Sequence, residues 1–363
     1  MEIPQFKVNM SPLAGEEVTK TLQSGYIGEG TQVKKFEKAI ADYLLVKDVV
    51  AVNSCTSALH LALTMLSPKT NKVLVPALTC FATTTAILQA HMEPLWCDID
   101  ADTCNISLKA VKKNISLAAF DAIIVVHYGG YPVDVQKLDK LLQKHEELYG
   151  FKPVVIEDCA HSLGAKSPWG MVGNGSFNNV CCFSFQAIKT LTTGDGGAII
   201  CNDPKRARKL RWFGMDRSIE RKDQDISEAG FKYQMNDIAA TIGLANIQNL
   251  EDKLLLQRNN VSYYMTALPD LAPRYHPLLI SSAWMYPITV GDANGFDRAM
   301  KNRGIQTGLH HYRNDRYSCV KHLPKIDLPG VTAAEKSTSC IPCGWWVGEK
   351  EREYIIDSIK KGW

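Results

Sequence analysis

Between residues 50 and 200 the chain repeats one theme: a short apolar run rich in β-branched residues, polar punctuation, then a stretch of helical period. Few folds accept that pattern. Side chains alternate faces along a strand, so a run that is apolar throughout must bury both faces, which calls for helices on each side of a mostly parallel sheet. The expected strands are Val49 to Val52, Lys72 to Val75, Glu93 to Cys97, Ala122 to Val126, Pro153 to Ile156, Val180 to Phe183 and Gly197 to Cys201. Helical patterns lie between several of them, over Ser57 to Leu66, Thr83 to Gln89 and Val135 to Leu148. After Tyr233 one long helix is expected from Asn236 to Tyr264. Strand candidates then follow at Ala283 to Val290 and Thr307 to His311, with a terminal helix near Lys350 to Lys361. This is an α/β architecture: a large domain over 1–250 with a mostly parallel seven-stranded sheet, and a smaller α+β domain over 251–363.

Composition narrows the function classes. A formal charge of +3 over 363 residues gives no argument for nucleic acid, and 45% hydrophobic with 22% charged residues suits a globular chain. The eleven cysteines are far too sparse for a small secreted disulfide framework. Cys340 and Cys343 form a lone CxxC without a second pair at zinc spacing, so no metal is expected. The N-terminus lacks the pattern of a signal peptide, and no run of about 18 apolar residues exists to span a membrane. A cytoplasmic address is expected.

The chemistry concentrates between Ile156 and Gly197. One strand ends in Glu157-Asp158-Cys159-Ala160-His161 and the next in Ser184-Phe185-Gln186-Ala187-Ile188-Lys189. The carboxyl ends of strands form the ligand crevice of an open α/β sheet, so both segments face one pocket. A carboxylate beside a primary amine suits pyridoxal phosphate (PLP). Asp158 is the candidate to keep the pyridine nitrogen protonated, and Lys189 the candidate Schiff-base tether and general base, with desolvation expected to lower its pKa. Thr190 to Gly197 adds hydroxyls and permissive backbone. Asn53 to Leu59, small and polar at a strand end before a helix, is the expected phosphate site through Cys55 and Thr56, with Ser184 closing the other side. Phe81 follows another strand and is the candidate ring for stacking on the pyridine face. Singly, each has an ordinary structural reading: turn cap, surface lysine, core ring, N-cap. Their joint placement at successive strand ends decides for the pocket.

These segments resemble those of the DegT/StrS-type nucleotide-sugar aminotransferases, with fold-type I architecture, over most of the chain. Gly25-Tyr26-Ile27-Gly28-Glu29-Gly30 with Phe36-Glu37 resembles the family's N-terminal loop, Asn53 to Leu59 its phosphate turn, Glu157 to Ala160 its aspartate motif and Ser184 to Gly197 its lysine motif. The resemblance implies PLP on Lys189, Asp158 at the ring nitrogen, His161 near the phenolic oxygen, and a homodimer whose partner supplies a phosphate contact. Gly230 to Asn236 is similar to that partner segment, with Lys232 where an Asn is frequent. His161 stands where many relatives have Gln, and Gln186 where many have His or Asn. A lysine rather than a histidine at 189 favours transamination over sugar dehydration.

The implied reaction moves an amino group from L-glutamate to a keto-deoxy sugar carried by a nucleotide, a 4-keto-6-deoxy sugar being preferred. A cyclitol or another small ketone is the alternative acceptor. Substrate contacts are expected from His127, Gln186 and the cluster His310, His311, Tyr312 with Arg313 and Arg316. For His127 a structural hydrogen bond is an equal alternative, and for the cluster an exposed loop.

Overall fold

A computed structural model describes all 363 residues. Seven strands form the central sheet: β1 (Val50–Val52), β2 (Lys72–Pro76), β3 (Glu93–Cys97), β4 (Ala122–Val126), β5 (Val154–Asp158), β6 (Val180–Ser184) and β7 (Gly197–Ile200). Their spatial order is β1-β7-β6-β5-β4-β2-β3. All neighbours run parallel except at β7, which is antiparallel to both β1 and β6.

The strands are apolar on both faces because both faces are covered. Val73, Val75, Ile124 and Ile156 join one core cluster, while Leu74, Ile123, Val125 and Val155 join another on the opposite side. Nine helices surround or follow this sheet: α1 (Ala14–Gln23), α2 (Thr31–Leu44), α3 (Cys55–Thr64), α4 (Phe81–Gln89), α5 (Leu108–Ile115), α6 (Val135–Tyr149), α7 (Pro204–Leu210), α8 (Asp237–Ile247) and α9 (Leu250–Ala267). The loop before α2 is fixed by Asp237, whose carboxylate accepts the N–H groups of Gly30, Gln32 and Val33. Glu29 and Glu37 are in turn held by the buried Arg211 guanidinium.

Two expectations fail. The single helix from Asn236 to Tyr264 is two helices broken at Gln248 and Asn249, with Asn249 at φ −109°, ψ 16°. Just before the break the Asn246 side chain donates to the Thr192 carbonyl at 2.8 Å and accepts from Ser11 N–H at 2.6 Å, so tertiary bonds pull on the helix end. The segment Thr307 to His311 is not a strand. It meets its neighbour only where Gly308 and Cys340 exchange backbone bonds, then leaves the sheet and carries His310 and His311 toward the ligand crevice.

The C-terminal region has its own core. A two-stranded antiparallel sheet, β8 (Tyr286–Thr289) and β9 (Thr338–Ile341), packs with α10 (Ala293–Asn302) and α12 (Glu349–Lys360), while α11 (Pro329–Ser337) buries Val331 and Ala334 in a core of the large sheet. Helix α9 belongs to both regions: Leu250 and Leu254 lie in a large-sheet core, Val261 and Tyr264 in the C-terminal one. The first residues of the chain cross over as well, since Ile3 bridges Ile305. All eleven cysteines are free thiols, and no helix is long and apolar enough to cross a membrane.

Candidate active site

The carboxyl ends of β4 to β6, with the turns after β1 and β2, enclose a cavity of about 340 Å³. At one end stands the first turn of α3. Ser54 caps it by accepting the Ser57 N–H at 3.1 Å, which leaves the Cys55 and Thr56 N–H groups free at the positive end of the helix. Strand β7 runs so close behind this turn that a Cβ on Gly197 would lie 2.6 Å from both Cys55 N and Ser54 O. Only glycine fits. Gly197→Ala is therefore expected to displace the turn and weaken phosphate-dependent binding of PLP by at least ~10-fold, measured by titrating the apoprotein with PLP and, as control, pyridoxal.

Asp158 forms the floor and is almost completely buried. Its Oδ2 accepts the Thr83 hydroxyl at 2.9 Å and its Oδ1 the Ala160 N–H at 3.1 Å. Burial pushes its pKa above the ordinary carboxylate value, against the pull of those two bonds and of Lys189. Such a carboxyl has unused capacity for a cationic N–H.

Lys189 lies in the tight loop after β6, where its N–H donates to the Gln186 carbonyl at 2.9 Å. The ammonium sits 3.6 Å from the centre of the Trp284 ring, and Trp284 Nε1 donates to the Ile188 carbonyl at 2.9 Å. Burial lowers the amine's pKa to about 8, although Asp158 draws it upward. At pH 7 about a tenth of it is free base, against less than about a thousandth for an ordinary lysine. Covalent capture of PLP by the apoprotein should accelerate about tenfold per pH unit up to pH ~8 and then level off. Stopped-flow absorbance would show this, and a rate still climbing at pH 10 would contradict it.

Three histidines close the opposite wall. His161 stacks on Trp284 with ring centroids 4.0 Å apart, and its Nδ1 accepts the Gly129 N–H at 3.3 Å. The neutral ring then carries its proton on Nε2, which donates to His311 Nε2 at 3.2 Å. Burial drives the pKa of both rings well down. His310 lines the cavity beside them.

Of the expected site residues, Cys55, Thr56, Asp158, His161, Ser184, Gln186, Lys189, His310 and His311 all line this one cavity. Four do not. Phe81 opens α4 with its ring edge-on to Tyr317 at 4.9 Å, and the preceding Cys80 meets the cavity instead. His127 is fully buried. Its Nε2 bonds Glu157 at 2.9 Å while its Nδ1 accepts the Val133 N–H at 3.0 Å, a structural use that leaves nothing for a sugar. Tyr312 is half exposed beneath Arg316, while Arg313 is held bidentate by Asp315. Lys232 projects over the Trp212 ring, 3.9 Å from its centre, and does not line the cavity of its own chain. Trp284 and Thr83 were missed. Thr83 had a local signal, a hydroxyl in the first turn after β2, whereas nothing near Trp284 in sequence links it to Lys189.

The model of the DegT/DnrJ/EryC1/StrS aminotransferase family matches residues 10–360. The chain belongs to that family. Among curated relatives, the UDP-4-amino-4,6-dideoxy-N-acetyl-beta-L-altrosamine transaminase of Campylobacter jejuni is 28% identical, with 96% of each chain covered. Among solved structures, AtS13 of Actinomadura melliaura superposes with TM-score 0.95 at 40% identity, covering 100% of this chain and 99% of that one. The sugar aminotransferase CalS13 of Micromonospora echinospora gives 0.95 at 35% identity, covering 99% and 100%.

This DegT/DnrJ/EryC1/StrS member is thus a PLP-dependent aminotransferase of fold-type I. Its residues fit the cofactor. The free N–H groups of α3 suit a phosphate, and the buried Asp158 carboxyl suits a protonated ring nitrogen. An amine with lowered pKa stands in the same cavity.

Proposed function

We propose that the protein moves an amino group from L-glutamate to a keto-deoxy sugar carried by a nucleoside diphosphate, with a 4-keto-6-deoxy sugar as preferred acceptor. The observation that carries the reading is one cavity holding Lys189, Asp158 and the free N–H groups of α3, in a chain that resembles sugar aminotransferases along its whole length. The named activity of the Campylobacter relative, a transaminase of a UDP-linked dideoxy sugar, supports the acceptor class.

When bound, PLP supplies an electron sink for the carbanion at the aminated carbon. Everything else falls to the protein. Cys55 and Thr56 N–H groups, with the Ser184 hydroxyl, anchor the phosphate. Asp158 holds a proton on the ring nitrogen, and Thr83 and Ala160 fix the carboxylate for that task. Lys189 Nζ removes the proton from the α-carbon of glutamate in the first half and delivers one to the sugar carbon in the second. Gln186 and His310 stand at the same cavity for substrate contacts.

The active unit is a homodimer. Lys232 is exposed and lines no part of its own cavity, as expected of a residue that serves the phosphate of a partner. Met10, Leu13, Leu22, Tyr26, Ile27 and Phe213 leave apolar side chains exposed on the N-terminal segment and the 211–214 turn, surface that a second copy would cover.

The test is to incubate the PLP-loaded protein with L-glutamate and a panel of keto nucleotide sugars, reading products by mass spectrometry. Formation of 2-oxoglutarate together with an aminated nucleotide sugar is the expected result. Amination of a free cyclitol but of no nucleotide sugar would overturn the acceptor assignment.

A further inference from the structure

The Lys189 ammonium rests against an aromatic face rather than against a carboxylate. Nζ lies 3.6 Å from the centre of the Trp284 ring, whereas Asp158 acts on it only as a charge at a distance, without a hydrogen bond. An indole face attracts a cation through its ring quadrupole, and the attraction grows as water is excluded. Here water is excluded: Trp284 is 4% exposed within its own chain, so its ring is enclosed without help from a second subunit.

The indole is held at its edge and across its plane. Its Nε1 donates at 2.9 Å to the carbonyl of Ile188, the residue before Lys189, which ties the ring to the same loop that carries the amine. His161 lies near-parallel to it, with centroids 4.0 Å apart and an interplanar angle of 22°, and Phe6 does so at 4.9 Å and 29°. His161 is itself fixed by Gly129 and His311. A ring clamped in this way presents one constant face, so the site needs no reorganisation when a charge appears above it.

We propose that Trp284 is a positioning residue for proton transfer, its indole face holding Lys189 as an ammonium while that side chain carries the proton of the donor substrate. This rests on the reading of Lys189 as tether and general base, and adds the group that strengthens the base. In the step itself the C–H bond at the donor's α-carbon breaks as an N–H bond forms on Nζ, and the electron pair stays with the bound cofactor. The same proton then passes from Nζ to the cofactor's carbon, and the lysine ends as it began. Its charge exists only between the two transfers, and that charge is what the indole favours. The titratable groups that face Nζ are Asp158, Cys80 and Cys55 on one side of the amine's balance and His161, His310 and His311 on the other. All six remain when Trp284 alone is changed, so a shift in the titration of the lysine then reports the indole.

The experiment makes Trp284→Leu and, in a second series that keeps both shape and N–H donor, places mono- and trifluorinated tryptophan at the same position, where fluorine progressively weakens the ring quadrupole. The first readout needs no substrate: covalent capture of PLP by each apoprotein is followed by stopped-flow absorbance as a function of pH. For Trp284→Leu the rate should level off about one pH unit below the wild type, and the fluorinated proteins should step down in order of fluorination. The second readout is the half-reaction of the PLP-loaded protein with L-glutamate, where Trp284→Leu should lower the limiting rate ~10-fold and leave the half-saturating concentration unchanged. A fluorinated series that levels off at the wild-type pH overturns the proposal, as does a limiting rate that does not fall. A shift to higher pH in Trp284→Leu also overturns it, being the mark of an indole that serves only to exclude water. Should the leucine form not fold, the fluorinated series decides alone. If the wild-type apoprotein captures no PLP on Lys189, the tether reading falls first and the role of Trp284 with it.

Discussion

Replacing Lys189 with alanine is expected to lower amino transfer by ~10³-fold or more, since loss of a positioned general base alone costs ~10²- to 10⁴-fold. The same change removes the covalent tether. The protein should still fold and still bind PLP, because the phosphate turn at Cys55 and Thr56 and the Asp158 floor are untouched. Bound cofactor should then absorb like the free aldehyde, and added methylamine should restore part of the half-reaction. Burial disfavours the charged amine in the folded chain, so the thermal midpoint of the apo variant should not fall. Turnover near the wild-type level in a lysine-free site would remove the basis of the assignment.

Asp158→Asn is expected to separate catalysis from stability. Asparagine keeps an acceptor for the Ala160 N–H, and its amide can donate to the Thr83 hydroxyl, so the local geometry survives. It cannot hold a proton on the ring nitrogen, and kcat/KM should drop by ~10²-fold or more. Stability should move the other way. Burial raises the folded pKa of this carboxyl above its unfolded value. The folded state therefore binds more protons than the unfolded one, and the group's cost to stability is absent below the unfolded pKa of ~3.9 and grows as pH rises through the folded value. At pH 7 the Asn apoprotein should melt at or above the wild-type temperature, and at pH 3.5 the two should converge. A variant that melts lower at neutral pH while retaining activity would contradict both halves.

The sheet was legible because its signal is physical and local. Glu93 to Cys97 and Ala122 to Val126 coincide with β3 and β4, since continuous apolar runs bounded by polar residues admit little else. That Asp158 and Lys189 share one cavity was legible for a topological reason: Asp158 ends β5 and Lys189 follows its neighbour β6, and parallel strand ends converge on one crevice. Phe81 was misplaced by one residue. The strand-to-helix turn after β2 rotates side chains by about 100° per helical position, so Cys80 rather than Phe81 reaches the cavity. His127 reads in sequence as one more strand-end histidine, and only the structure reveals the buried Glu157 that occupies it. Trp284 was beyond sequence reasoning, because its contact with Lys189 spans 95 positions and is set by how the C-terminal region docks on the sheet.

The central claim is that Lys189 is the residue to which the cofactor is joined. Borohydride reduction of the PLP-loaded protein, followed by digestion and mass mapping, tests it without any substrate. A pyridoxyl group on the peptide carrying Lys189, and on no other, is the result expected; a label on another lysine, or none at all, would contradict the account.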